Sequence, residues 1–180
     1  MSVKDKIKKE SIFYIVIGIA DGIVTALLFT TGHILHGNGS ISLNMAFRIS
    51  LGAALPSVFT FFVAEYTERR KNLMHVAKEL NLSSSLYLLN TKLGKEVFYR
   101  SIALTVLGVS SGFTGAMIPL SISSLIPAIS WLPILVSIVI LGFFGFALSV
   151  FIHGNTLLWI ASMITIGILF AFLGNTLNII

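Results

Sequence analysis

After Arg100 the chain carries no further Asp, Glu, Lys or Arg, so the whole stretch from Ser101 to Ile180 must fold without a single one of them. A water-borne domain cannot do this, because its outside has to be solvated and it averages roughly 25% charged residues. A bilayer lifts that requirement. The composition agrees: of 180 residues 56% are hydrophobic and only 11% charged, with a mean hydropathy of +0.96. The sequence therefore predicts an all-α integral membrane protein.

A spanning helix needs about 20 mostly apolar residues. Five runs meet that length, at 12–35, 45–66, 97–122, 131–153 and 156–177, so five transmembrane helices are expected. The breaks between them carry turn residues: Gly37, Asn38, Gly39 and Ser40 in the first, Pro127 in the third, and His153-Gly154-Asn155 in the last. No short internal repeat is visible, which excludes a solenoid. The polar segment 67–96 has Leu73, Val76, Ala77 and Leu80 at spacings of three and four, among Glu68, Arg69, Lys71, Lys78 and Glu79. That periodicity predicts a second span running on as an amphipathic helix, then a Ser-rich turn at 83–85. The segment is too short for a domain of its own, which leaves one transmembrane domain over 1–180.

The net charge of +5 arises mainly in 1–10 and 67–100. Nucleic-acid binding would call for a basic stripe on a folded face. Basic residues beside membrane ends read instead as topology signals, which place the N-terminus and the 67–96 loop in the cytoplasm. An odd number of spans then puts the C-terminus outside. There is no cysteine, so disulfides and thiolate metal sites are excluded. The first apolar run outlasts a signal-peptide core and lacks a small-residue cleavage site, so a cleavable signal is not expected.

Ionisable groups inside spans cost at least about 2.5–3.5 kcal/mol to insert and invite a functional reading. Asp21 is the sharpest case, midway along the first span within Gly18-Ile19-Ala20-Asp21-Gly22. Its bland reading is a packing role, accepting hydrogen bonds from Ser57 or Thr60. Gly18 and Gly22 form a small-xxx-small pair, which predicts a close helix–helix seam beside Asp21. Arg48 is placed to snorkel from the second span to its outer interface or to pair with a buried acid. Pro56 should kink that span and free a carbonyl, giving either a structural bend or part of an ion ligand set. Glu65 and Glu68 share a face at the cytoplasmic end of the span, either receiving a cation or forming a solvated end whose Glu68 pairs with nearby arginines. Met74, His75 and Glu79 follow on the next turns and add soft and hard donors. The metal candidates are thus Asp21, Glu65, Glu68, Met74 and Glu79. Gly108-Val109-Ser110-Ser111-Gly112 matches the hydrolase GxSxG pattern, but that motif needs a strand-to-helix turn. Here it lies within an apolar helix, far from His153, so no enzyme is expected.

The run Gly18-Ile-Ala-Asp-Gly-Ile-Val-Thr25, with Gly32 after it, resembles the first-helix signature of the vacuolar iron transporter family. The likeness continues in Ile49-Ser-Leu-Gly52, Ala64-Glu65-Tyr66-Thr67-Glu68, Gly112-Phe-Thr-Gly115-Ala-Met-Ile-Pro119-Leu, and Gly167 with Gly174. The resemblance implies a homodimer of five-helix protomers, here with the seam at Gly18 and Gly22. It implies export of Fe²⁺ or Mn²⁺ from the cytosol in exchange for protons, through a first-helix Asp that Asp21 matches. The metal is then cargo, and no resident cofactor is expected. Two differences stand out. The family's second-helix methionine is replaced by Leu51, or by Ser57 if the gap is placed later. The loop keeps only Glu68, Met74, Glu79 and Glu96 of an acidic, Met-rich metal-binding loop, as in the short-loop, nodulin-like branch.

Overall fold

The computed structural model of the chain describes residues 3–35, 41–79, 91–126, 129, 131–152 and 154–177. They form helices α1 (Val3–Leu35), α2 (Leu43–Glu79), α3 (Lys92–Leu125), α4 (Leu132–Ile152) and α5 (Thr156–Leu177). All five are long and apolar enough to cross a membrane, which is the architecture of a multi-pass membrane protein. Helices suit that solvent because each satisfies its own backbone N–H and C=O groups.

The apolar runs and the helices agree at most ends. The second span does run on without a break, since α2 continues to Glu79. The expected loop is shortened from the other side too, because α3 already begins at Lys92. The turn at 83–85 and His153 lie outside the described residues. The tight connection from α4 to α5 is explained by its caps. The Gly154 N–H donates to the Ser149 carbonyl at 3.0 Å, and the Asn155 side chain accepts from the Leu157 N–H at 3.2 Å. One bond closes a helix end and the other opens the next.

Helix α1 is the hub. It packs most extensively against α3, then α5 and α4, and only lightly against α2. Helix α2 leans on α3 and, among the described residues, reaches neither α4 nor α5. The α1–α3 seam is made by missing side chains. A Cβ added to Gly18 would fall 2.1 Å from the Gly108 carbonyl oxygen, and one on Gly22 would fall 2.0 Å from that of Gly112. The seam expected at Gly18 and Gly22 therefore forms, but with α3 of the same chain. Within the protomer both glycines face α3. Association in lipid depends on van der Waals packing, and that favours the closest backbone approach available.

Gly112 and Gly115 are the complementary half of this seam, since a Cβ on them would fall 3.1 Å from the Gly18 carbonyl oxygen and 2.6 Å from that of Ile19, while the missing side chain of Gly108 faces Phe61 of α2. Ser111 Oγ donates to the Gly108 carbonyl at 2.8 Å and Ser110 Oγ to that of Leu107 at 3.1 Å. The buried hydroxyls of Thr30 and Ser50 do the same, to Ala26 at 2.6 Å and to Ala46 at 2.9 Å. Bonding back to the preceding turn lets Ser and Thr enter an apolar bundle without an unsatisfied donor.

The packing also sorts charge. The start of α1, the end of α2 and the start of α3 meet at one end of the bundle, through Glu10, Arg69 and Arg100. Every Lys and Arg except Arg48 belongs to one of those three helix ends.

Candidate functional site

Asp21 lies about 16 Å along α1 from Glu10 and about 20 Å from Ile34, at 1.5 Å per residue, and so near the middle of the apolar segment Glu10–Ile34. No interface is close enough for it to snorkel to. It opens onto a cavity of about 510 Å³ between α1 and α2, shared with Thr25, Arg48, Gly52 and Ser57. Ser57 Oγ stands 3.2 Å from Asp21 Oδ2 and 3.1 Å from the Ala53 carbonyl, so its one proton serves either acceptor. Thr25 Oγ1 donates to the Asp21 backbone carbonyl at 3.0 Å. Thr60 turns instead to the carbonyls of Pro56 and Ser57, at 3.4 and 3.2 Å.

Pro56 lies inside α2 and lacks the N–H that would bond the Gly52 carbonyl one turn earlier. Gly52 lines the same cavity as Asp21, and the Asp21 carboxylate with the Thr25 and Ser57 hydroxyls gives it oxygen donors. Such a set suits hard cations. Ser57 is in this groove, whereas Leu51 lies on another flank with Val58 and Phe113. Arg48 lines the groove about 13 Å further along α2 from Ser57. Among the described residues no ion pair joins it to Asp21.

A second cluster occupies the charged end. Glu65 is only 4% exposed. Tyr14 Oη donates to one of its carboxylate oxygens and Arg69 Nε to the other. Arg69 also reaches Glu10 at 2.8 Å, and Arg100 reaches the same Glu10 oxygen at 2.8 Å. A carboxylate this buried is tolerated because a guanidinium and a hydroxyl satisfy it. The cluster pins α1, α2 and α3 together. Glu65 and Glu68 do line one cavity, of about 620 Å³, as their spacing predicts. Glu65, however, is already engaged by a built-in cation, and Arg69 pairs with Glu65 and Glu10 in place of the expected Glu68.

The remaining candidates lie elsewhere. Met74 sits on the other flank of α2, in a cleft with Arg70, Lys71, His75 and Lys78. Glu79 pairs with His75 Nε2 at 3.5 Å on the exposed surface. Asp21 itself is two turns of α1 from Tyr14, about 10 Å. The five sequence candidates are thus split over separate places. Among the described residues no group of three or more His, Cys, Asp and Glu side chains comes together.

Compared with protein-family models, curated proteins and solved structures, the chain matches none. Its chemistry has to be read from its own groups. Sequence reasoning missed Tyr14, Glu10 and Arg100 as members of the end cluster. The i,i+4 spacing of Glu65 and Arg69 was a usable signal for one of its pairs. Nothing in the order of residues joins Glu10 to Arg100.

Proposed function

We propose that the protein is a secondary transporter that exports a divalent metal cation, Fe²⁺ or Mn²⁺, from the cytosol in exchange for protons. The observation that carries this reading is Asp21, a carboxylate at mid-span beside the Ser57 hydroxyl in an open groove. A single carboxylate holds either a proton or a metal ion, so exchange follows from competition at one site. The oxygen donors around it favour Mn²⁺ of the two, because hard cations prefer carboxylate and carbonyl ligands. Glu68, on the cavity at the charged end, is then a cytoplasmic acceptor on the way to the groove, with that end and the N-terminus in the cytosol and the C-terminus outside. A second copy facing the open α1–α2 groove would supply the remaining ligands. That homodimer would use the flank of Asp21, since Gly18 and Gly22 are occupied by α3.

The test is Mn²⁺ and Fe²⁺ flux into proteoliposomes, with and without a pH gradient, for wild type and Asp21→Asn. The variant should remain folded and lose flux by at least about 10- to 100-fold, the range seen even for groups that only support a ligand. Coupled proton movement should vanish with it. Near-wild-type flux in Asp21→Asn would sink the reading.

The second reading is a membrane protein of transporter-like build that moves no metal and acts as a structural or interaction partner. Arg48 in the groove and the Arg69 guanidinium on Glu65 favour it, since both set a fixed positive charge near a cation's route. Folded wild-type protein that carries neither metal under any gradient would decide for it.

A further inference from the structure

Helix α2 leaves the apolar run at Tyr66 and continues to Glu79, and this extension has two unlike flanks. One carries Glu65, Arg69, Leu73 and Val76 toward the cavity that Glu10 and Val97 also line. The other carries Thr67, Arg70, Lys71, Met74, His75 and Lys78 around a cleft of about 510 Å³. Those six positions are spaced by threes and fours and so form one helical face. Arg70, Lys71 and Lys78 are exposed, and among the described residues none of them makes an ion pair. Of the two acids that border this face, Glu79 is engaged with His75 and Glu68 lines the cavity on the other flank.

From Thr67 back into the membrane at steps of four runs a stripe that winds about 40° round the helix at each step, through Val63, Phe59 and Leu55, which are 42%, 71% and 64% exposed. It is an uncovered apolar stripe that turns basic where the helix leaves the hydrocarbon. Arg70 and Lys71 stand about 6–8 Å beyond Tyr66, at the depth of the headgroup layer, which is about 5–8 Å thick on each side. Lys78 lies about 11 Å further, roughly one Debye length, and its long side chain can bend back.

We propose that this face binds an anionic phospholipid, with acyl chains along Leu55, Phe59 and Val63 and the phosphate among Thr67, Arg70 and Lys71. A lipid fits better than a second copy, because a twofold contact through this face would set three cations against their own images. The site is independent of any transported ion.

The experiment is native mass spectrometry of the whole protein in a neutral detergent, offered phosphatidylglycerol and phosphatidylcholine of equal chain length. Wild type should retain phosphatidylglycerol at least about tenfold more strongly, since each basic residue at a membrane surface contributes about fivefold. The variant R70Q/K71Q/K78Q should lose the preference. The variant K92Q/K95Q, which removes exposed bases from the start of α3 at the same end, should keep it. Arg70→Gln alone, with about a fivefold loss, carries the test should the triple variant fail to fold. Equal retention of the two lipids by wild type would overturn the proposal, as would an equal loss in K92Q/K95Q. Displacement of the lipid by millimolar inorganic phosphate would reassign the cleft to a soluble anion. A lipid-independent dimer abolished by the triple variant would reassign the face to a second copy.

Discussion

Toward α3, helix α1 presents Gly18 and Gly22, and the backbones close until even a methyl group has no room. Toward α2, one residue away from Gly22, it presents Asp21, and the helices stand apart around a cavity of about 510 Å³. Both flanks belong to one helix in one environment. The first is held by shape: small residues on both sides let dispersion act over the shortest distance. The second is polar, open and thinly packed, and thinly packed elements are the ones that move at low cost. Helix α2 keeps its place through α3 along its length and through Arg69 at the charged end.

The largest effect should come from filling the tight flank. Gly22→Leu drives a side chain into the Gly112 carbonyl and the Ala116 amide. It should cost upwards of about 3 kcal/mol, the top of the overpacking range. Size-exclusion profiles and thermal scans in detergent should show loss of the folded species. A stable, monodisperse Gly22→Leu protein would mean that the two helices do not meet there.

An intermediate effect belongs to the clamp between the flanks. Arg69→Gln leaves Glu65 buried with Tyr14 alone. Losing one partner of a fully buried pair costs about 3–5 kcal/mol, and the 19% exposure of Arg69 brings this toward about 2. The melting temperature should fall and be largely recovered in Glu65→Gln/Arg69→Gln, which removes the stranded charge. No recovery in the double variant would show that Arg69 acts through something other than Glu65.

The smallest effect on stability should come from the open flank. Nothing lies within 4 Å of a Cβ added to Gly52, so Gly52→Leu should change stability by less than about 0.5 kcal/mol. The same leucine would fill the groove beside Asp21, and metal flux through it should stop. Stable protein with undiminished flux would separate the groove from the path and break the functional contrast between the two flanks.

Parts of this were legible in the residue order. The number of long apolar helices and the continuation of the second run to Glu79 follow from apolar run length and helical periodicity. Ser57 as a neighbour of Asp21 was also foreseeable, because mid-span carboxylates need a donor at the same depth. The end cluster was only half visible. Glu65 and Arg69 are four apart on one helix, while Glu10 and Arg100 come from two others. The distribution of Asp21, Glu65 and Met74 over separate flanks was not visible at all. Spacing says which residues share a helix face and is silent on what that face meets.

The sequence by itself determined that this chain has five helices long and apolar enough to cross a membrane and that its Lys and Arg gather at three helix ends. Both are sums along the chain, of transfer free energies over about 20 residues at a time. Only the tertiary structure decided that Gly18 and Gly22 close on α3, that Arg69 sits on Glu65, and that Asp21 is left facing a groove. In lipid no hydrophobic force tells one apolar helix from another, so the partner is chosen by the fit of two surfaces. Fit is a property of pairs of surfaces, and hydropathy counted along one strand of residues carries no record of it.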